Sequence, residues 1–205
     1  MNLFQPSRMS RTAAMVEGAL MVALGTVLSL IPFFRLPWGG SITCFSTLPL
    51  VMMSLRHGAK WGVATAAVFG FVQAIQGMDA VAAAGTIPAM ALCVLLDYFV
   101  GYAVIGFSGP IARLLPNPIA RALPGQISRV AAGVAATGLM RLLASFASGI
   151  LIWGSFAPAG TPVWIYSLTY NMGWCLPDVS IVLAAAITLA HVPALGSLAY
   201  ARRRP

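Results

Sequence analysis

Charge is what this chain lacks. Of 205 residues, 8% are charged, with 12 Lys/Arg against 4 Asp/Glu. A soluble domain carries about 25% charged residues. With 60% hydrophobic residues and a mean hydropathy of +0.89, the chain has too few charges to cover a water-facing surface. The composition therefore predicts an all-α integral membrane protein.

Other absences narrow the chemistry. Lys60 is the only lysine and no GxxxxGK[ST] loop occurs, which excludes ATP hydrolysis in the P-loop manner. No HExxH occurs, so intramembrane metalloprotease chemistry has no ligands. The histidines, His57 and His191, fall near the cytoplasmic ends of apolar runs and read as interfacial residues rather than bases. Cys44, Cys93 and Cys175 are scattered, form no CxxC, and support neither a zinc site nor a disulfide framework. No cofactor or metal is implied.

What is present is apolar sequence of membrane length. A spanning helix needs roughly 20 apolar residues, so a chain of 205 has room for about seven at most. Six candidate spans stand out, at about 12–34, 41–55, 60–77, 82–107, 128–154 and 164–192. They make residues 1–205 a single membrane domain. The second span is short and contains Pro49. Pro88 and Pro177 are expected to kink the fourth and sixth helices.

The net charge of +8 could suggest nucleic acid, but its placement argues otherwise. Ten of the 12 basic residues fall on one side of the six-span arrangement: Arg8, Arg11, Arg56, Lys60, Arg113, Arg121, Arg129 and Arg202 to Arg204. The opposite loops carry only Arg35, and Arg141 falls inside a span. By the positive-inside rule both termini are cytoplasmic. The basic stretch 109–129 is then a cytoplasmic loop that can lie on anionic lipid, and no nucleic-acid surface is needed.

On the outer side by this topology, residues 153–171 hold five aromatics and no charge. Tyr166 and Tyr170 form one i, i+4 stripe, and Asn171 adds an amide that needs a partner in protein or ligand. Three ionisable residues inside spans compete for one explanation: Asp97, Arg141 and Asp178. Arg141 pairs with one carboxylate and leaves the other less compensated. Pairing with Asp178, so that Asp97 meets a ligand, is the preferred split; the reverse leaves Asp178 as the odd residue. A free carboxylate among Trp and Tyr faces suits a flat cationic ligand, since each cation–π contact contributes about 0.5–2 kcal/mol. A phosphorylated ligand would call for more basic donors than this side offers.

The blocks WGSFAPAGTPVWIYSLTYN, PWGGSIT, LRHGAKWG and LLDYFVGYAVIGFSG resemble the thiamine-specific S components, the ThiT family, of energy-coupling factor (ECF) transporters. The resemblance runs from about residue 12 to 192. It implies a six-helix S-component bundle with N-in and C-in topology in a bacterial plasma membrane. It implies capture of thiamine near the outer face, and partnership with an energy module of one transmembrane subunit and two ATPases. An acidic-Tyr pair contacts the ligand in the family; Asp97 and Tyr98 occupy it here. The aromatic ending the fifth helix corresponds to Trp153, and the Tyr and Asn opening the sixth to Tyr166 and Asn171. The candidate substrate-binding set is completed by Tyr170, Trp38, Gly40, Ser41, Ser145 and Gly149. Family positions that often hold His, Glu and Tyr are Ser145, Cys44 or a neighbour, and Ile87 here. Docking on the energy module uses an Ala-x-x-x-Ala pattern on the first helix, matched by Ala19 and Ala23. Two alternatives remain at this point. One is an S component for a thiamine precursor or another flat vitamin, and the other is a small intramembrane enzyme or a structural membrane subunit.

Overall fold

A computed structural model describes residues 10–36, 40–114 and 125–191, with the side chains of 125, 126 and 191 left aside. The chain opens with α1, Arg11–Ser29, whose N-cap Ser10 accepts from the Ala13 amide. The first span was expected to run to residue 34. It stops earlier because Pro32 has no N–H to continue the ladder, and the chain turns into a hairpin. Strand β1 (Pro32–Arg35) pairs antiparallel with β2 (Ser41–Thr43), with Arg35 opposite Ser41 and an irregularity between Pro32 and Phe34. The expected second span, 41–55, is thus part hairpin. Only α2, Leu48–His57, is helical there, starting with Pro49 in its first turn.

Helix α3, Ala59–Gln76, follows a Gly58 turn at φ 79°. A short helix α4, Met78–Ala83, then precedes α5, the continuous helix Ile87–Leu114. The expected fourth span, 82–107, therefore starts later and ends later. Pro88 does not kink it. Pro88 sits in the first turn behind the N-cap Thr86, where its missing N–H costs nothing. The irregularity lies further along, in a π-helical stretch Val94–Val100 and a 3-10 stretch Val104–Phe107. Helix α6, Gly125–Leu151, and helix α7, Val163–His191, complete the bundle, joined through a 3-10 turn at Gly154–Phe156. Pro177 lies inside α7, and the helix continues through it.

Among the described residues, four helices are long and apolar enough to cross a membrane: α1, α5, and the stretches Ile127–Leu151 and Val163–Ala190. Their outer faces are apolar. Met15, Leu20, Leu24, Phe99, Leu139, Leu143 and Leu151 are all exposed, as a lipid-facing surface requires. The buried core joins α2, α3, α5, α6 and α7 through Leu50, Phe69, Ile105, Val130 and Val182. Glycines let these helices touch. A Cβ on Gly106 would meet the backbone of Gly62 and Val63, and one on Gly133 would meet the Ser108 carbonyl. Ser54, fully buried, donates to the Gly106 carbonyl and accepts from the Gly109 amide at 2.9 Å.

At the α1–α2 contact, Glu17 takes Arg56 Nε and His57 Nε2, each at 2.9 Å. His57 is therefore half-buried and partnered. The side chain of His191 lies outside the described residues.

Candidate functional site

A cavity of about 460 Å³ opens between the hairpin, the ends of α1 and α3, and the helices α5 to α7. It is within the size range of small-molecule sites. Asp97, Tyr98, Ser145, Gly149, Trp153, Tyr166, Tyr170 and Asn171 all line it, with Gly40 and Ser41 from the hairpin. Ten residues singled out from the sequence thus face one space. Trp38 lies outside the described residues. Ala19 and Ala23 are far from it in role: both are exposed on the outer face of α1, opposite the buried Gly18 and Gly25.

Asp97 sits in the π-helical stretch of α5, where an extra residue per turn shifts the side-chain register. Its Oδ2 accepts from Ser148 Oγ on α6 and from Cys93 Sγ at 3.5 Å, one helical turn back. The side chains of Trp153 and Ser145 line the cavity with it. The carboxylate is therefore ringed by neutral donors. Among the described residues it has no ion-pair partner.

Asp178 has the opposite situation. Arg141 Nη1 lies 3.1 Å from its Oδ2, with Arg141 6% and Asp178 1% exposed. The Thr43 amide and hydroxyl donate to Oδ1 at 3.0 and 2.9 Å. One buried carboxylate thus ties β2, α6 and α7 together. The Arg141 guanidinium also lies 4.5 Å from the Tyr102 ring centroid and 4.8 Å from that of Trp174. Arg141 pairs with Asp178, the split preferred from the sequence.

The aromatic groups separate in the same way. Tyr166 and Tyr170 lie 5.8 Å apart, tilted by 43°, on the stripe that their spacing predicts. Trp153 packs on Phe156 at 5.7 Å just beyond the end of α6. Trp164, by contrast, is 55% exposed on the outside. Tyr98 donates from its hydroxyl to the Gly77 carbonyl at 3.4 Å, which links α5 to the end of α3. The Asn171 amide is fully engaged. It donates to the Ser145 and Ser167 carbonyls at 3.2 and 2.9 Å, and its oxygen accepts from Trp174 Nε1 at 3.2 Å. Asn171 acts here as a clasp between α6 and α7 that also forms cavity wall.

Two glycines are shaped by contact. Gly40 holds φ 83°, and a Cβ there would meet the Trp174 ring at 2.6 Å. A Cβ on Gly149 would meet Ser167 Oγ, so Gly149 sets the α6–α7 approach beside the cavity.

The family model described as Thiamine transporter protein (Thia_YuaJ) matches residues 15–195. The chain belongs to this family. The thiamine transporter ThiT of Bacillus subtilis (strain 168) is 34% identical over 183 residues, covering 88% of this chain and 91% of that one. The thiamine transporter ThiT of Lacticaseibacillus paracasei is 26% identical over 153 residues, or 74% of each. A solved structure of ThiT from Listeria monocytogenes matches with a TM-score of 0.72 at 21% identity, covering 92% of this chain and 98% of that one, a likeness of fold. The protein is thus a multi-pass membrane member of the Thia_YuaJ family, and its named relatives are transporters.

Several lining residues were not singled out from the sequence. Ser29 from α1 and Gln73 and Gln76 from α3 face the cavity, as do Cys93, Tyr102 and Trp174. The glutamines carried a signal: two amides in the last turn of a mostly apolar helix. Cys93 and Tyr102 carried none, because only the packing of α5 turns them toward the cavity rather than lipid.

Proposed function

We propose that this protein is the substrate-binding membrane subunit of an ECF-type transporter, capturing thiamine from the extracytoplasmic side. One observation carries the reading. Asp97 lies within a cavity of aromatic faces, ringed by neutral donors and without a counter-ion among the described residues. Thiamine carries one fixed positive charge on a flat thiazolium ring, beside an aminopyrimidine. Asp97 neutralises the thiazolium or bonds the aminopyrimidine. Tyr98, Trp153, Tyr166 and Tyr170 supply stacking and cation–π faces. Ser145 and Gly149 shape the α6 wall, and Asn171 keeps α6 and α7 at the spacing the ring needs. Gly40 and Ser41 from the hairpin form the outer covering.

The family relationship supports the ligand, since the named relatives are thiamine transporters. In this reading the one membrane domain crosses six times. The hairpin with α2 forms the second crossing and α3 the third, and both termini are cytoplasmic. Partner subunits supply ATP hydrolysis, because the chain has no P-loop of its own. The exposed Ala19 and Ala23 on α1 form the docking face. Titrating purified, folded protein with thiamine tests the reading through intrinsic Trp fluorescence. Trp153 and Trp174 at the cavity predict saturable quenching, and no quenching at micromolar thiamine refutes the ligand. A competition panel with the free pyrimidine half, riboflavin and biotin separates thiamine from a precursor or another flat vitamin.

A further inference from the structure

Asp97 is held by one oxygen. Its Oδ2 accepts from both Ser148 Oγ on α6 and Cys93 Sγ on α5, the thiol at 3.5 Å, and neither donor reaches Oδ1. Both donors are deeply buried, Ser148 at 0% and Cys93 at 2% exposure. Cys93 and Asp97 line the cavity, whereas Ser148 stands behind Asp97 and is not part of the lining. The use of the Ser148 hydroxyl sets it apart. A hydroxyl inside a helix can donate to the carbonyl four residues back. Those of Thr26, Thr137, Thr169, Ser180 and Thr188 do so in this protein. Ser148 has one hydrogen to give, and it crosses to α5 to meet the carboxylate. With no exposed surface, Ser148 has no water to turn to instead.

A donor to a carboxylate has two opposite effects on a cationic ligand. It draws on the charge that the ligand would use, and it fixes the direction in which that charge is presented. Here both donors act on one oxygen, so the draw falls on Oδ2. A group ordered before binding does not have to be ordered during it, so the fixed direction outweighs the draw. We propose that Ser148, assisted by Cys93, is a positioning residue that anchors Asp97 by Oδ2 and so presents Oδ1 to the ligand. This rests on the reading of Asp97 as the carboxylate that meets thiamine. Ser148 itself touches no ligand. A thiol is a weak donor, so Ser148 carries more of the anchoring than Cys93 does.

The test is a double-mutant cycle read by calorimetric titration of thiamine into detergent-purified protein. Wild type, Ser148→Ala, Asp97→Asn and the double variant are compared, with unfolding temperatures as the folding control. Ser148→Ala is expected to weaken thiamine about fivefold, the size of one typical hydrogen bond. In the Asp97→Asn background the same change is expected to cost much less, because no charge is left to aim. Folded Ser148→Ala with wild-type or tighter binding overturns the proposal. An equal loss in both backgrounds also overturns it, since Ser148 then acts through helix packing and not through the carboxylate. Cys93→Ala and Cys93→Ser form a second arm that stands if Ser148→Ala does not fold. Cys93→Ala is expected to lose about threefold, less than Ser148→Ala, and Cys93→Ser, with a stronger donor at the same place, to bind more tightly than Cys93→Ala. Cys93→Ala and Cys93→Ser binding alike overturns the anchoring by Oδ2. Wild type that binds no thiamine refutes the ligand reading itself, and this inference with it. Wild type that binds thiamine, with Ser148→Ala unaffected, refutes this inference alone.

Discussion

Asp97→Asn removes one charge and almost no volume. In the structure Asp97 Oδ2 accepts from Ser148 Oγ and Cys93 Sγ, and no cation among the described residues compensates it. An asparagine keeps one acceptor oxygen for these donors, so helix packing has little reason to change. What it loses is attraction for a bound cation in a site with little water. A hydrogen bond to a charged group is worth about 1.5–3 kcal/mol, against about 1 for a neutral one. The difference, about 0.5–2 kcal/mol, gives an expected loss of thiamine affinity of roughly 2- to 30-fold. Calorimetric titration of the variant in detergent, with its unfolding temperature as a folding control, measures this. A folded variant within twofold of wild type refutes the reasoning, because the carboxylate is then not the ligand's counter-ion. A loss for thiamine without loss for an uncharged analogue supports the charge argument specifically.

Other outcomes follow from the neighbouring geometry. Arg141→Met should destabilise the fold by about 3–5 kcal/mol in thermal unfolding, because it strands the buried Asp178 carboxylate. Removing both partners, as Arg141→Met with Asp178→Leu, should recover part of that loss; no recovery would mean that Thr43 and the aromatic contacts matter more than the ion pair. Gly40→Ala should weaken ligand binding more than it lowers stability, since its φ of 83° and the Trp174 ring together exclude a methyl at the cavity edge. Ala19→Trp with Ala23→Trp should leave thiamine titrations unchanged yet abolish uptake by cells that supply the energy module. Normal uptake would remove these exposed positions from docking.

The charges were the legible part of this site. A carboxylate in a span is costly wherever it lies, so Asp97 and Asp178 drew attention before any contact was known. Arg141 could serve either of them, and spacing along separate helices does not choose. Packing chose Asp178, because β2 brings Thr43 to the same oxygen pair and closes that network. Pro88 was misleading for a related reason. A proline ahead of an apolar run marks a kink or a first turn, and the N-cap Thr86 decided for the first turn. The hairpin at Pro32–Thr43 was hidden inside two apolar runs, since hydropathy does not distinguish strand from helix over so few residues.

Composition and pattern determined the membrane class, the long helices and the chemical character of the site, because bulk apolarity and rare charges act whatever their neighbours are. Tertiary structure alone decided which polar residues share a space. The donors to Asp97 come from α5 and α6, and Ser29, Gln73 and Gln76 on the facing side come from α1 and α3. Those elements are far apart in the chain, and only the glycine-mediated crossings that pack the helices together set their side chains opposite one another.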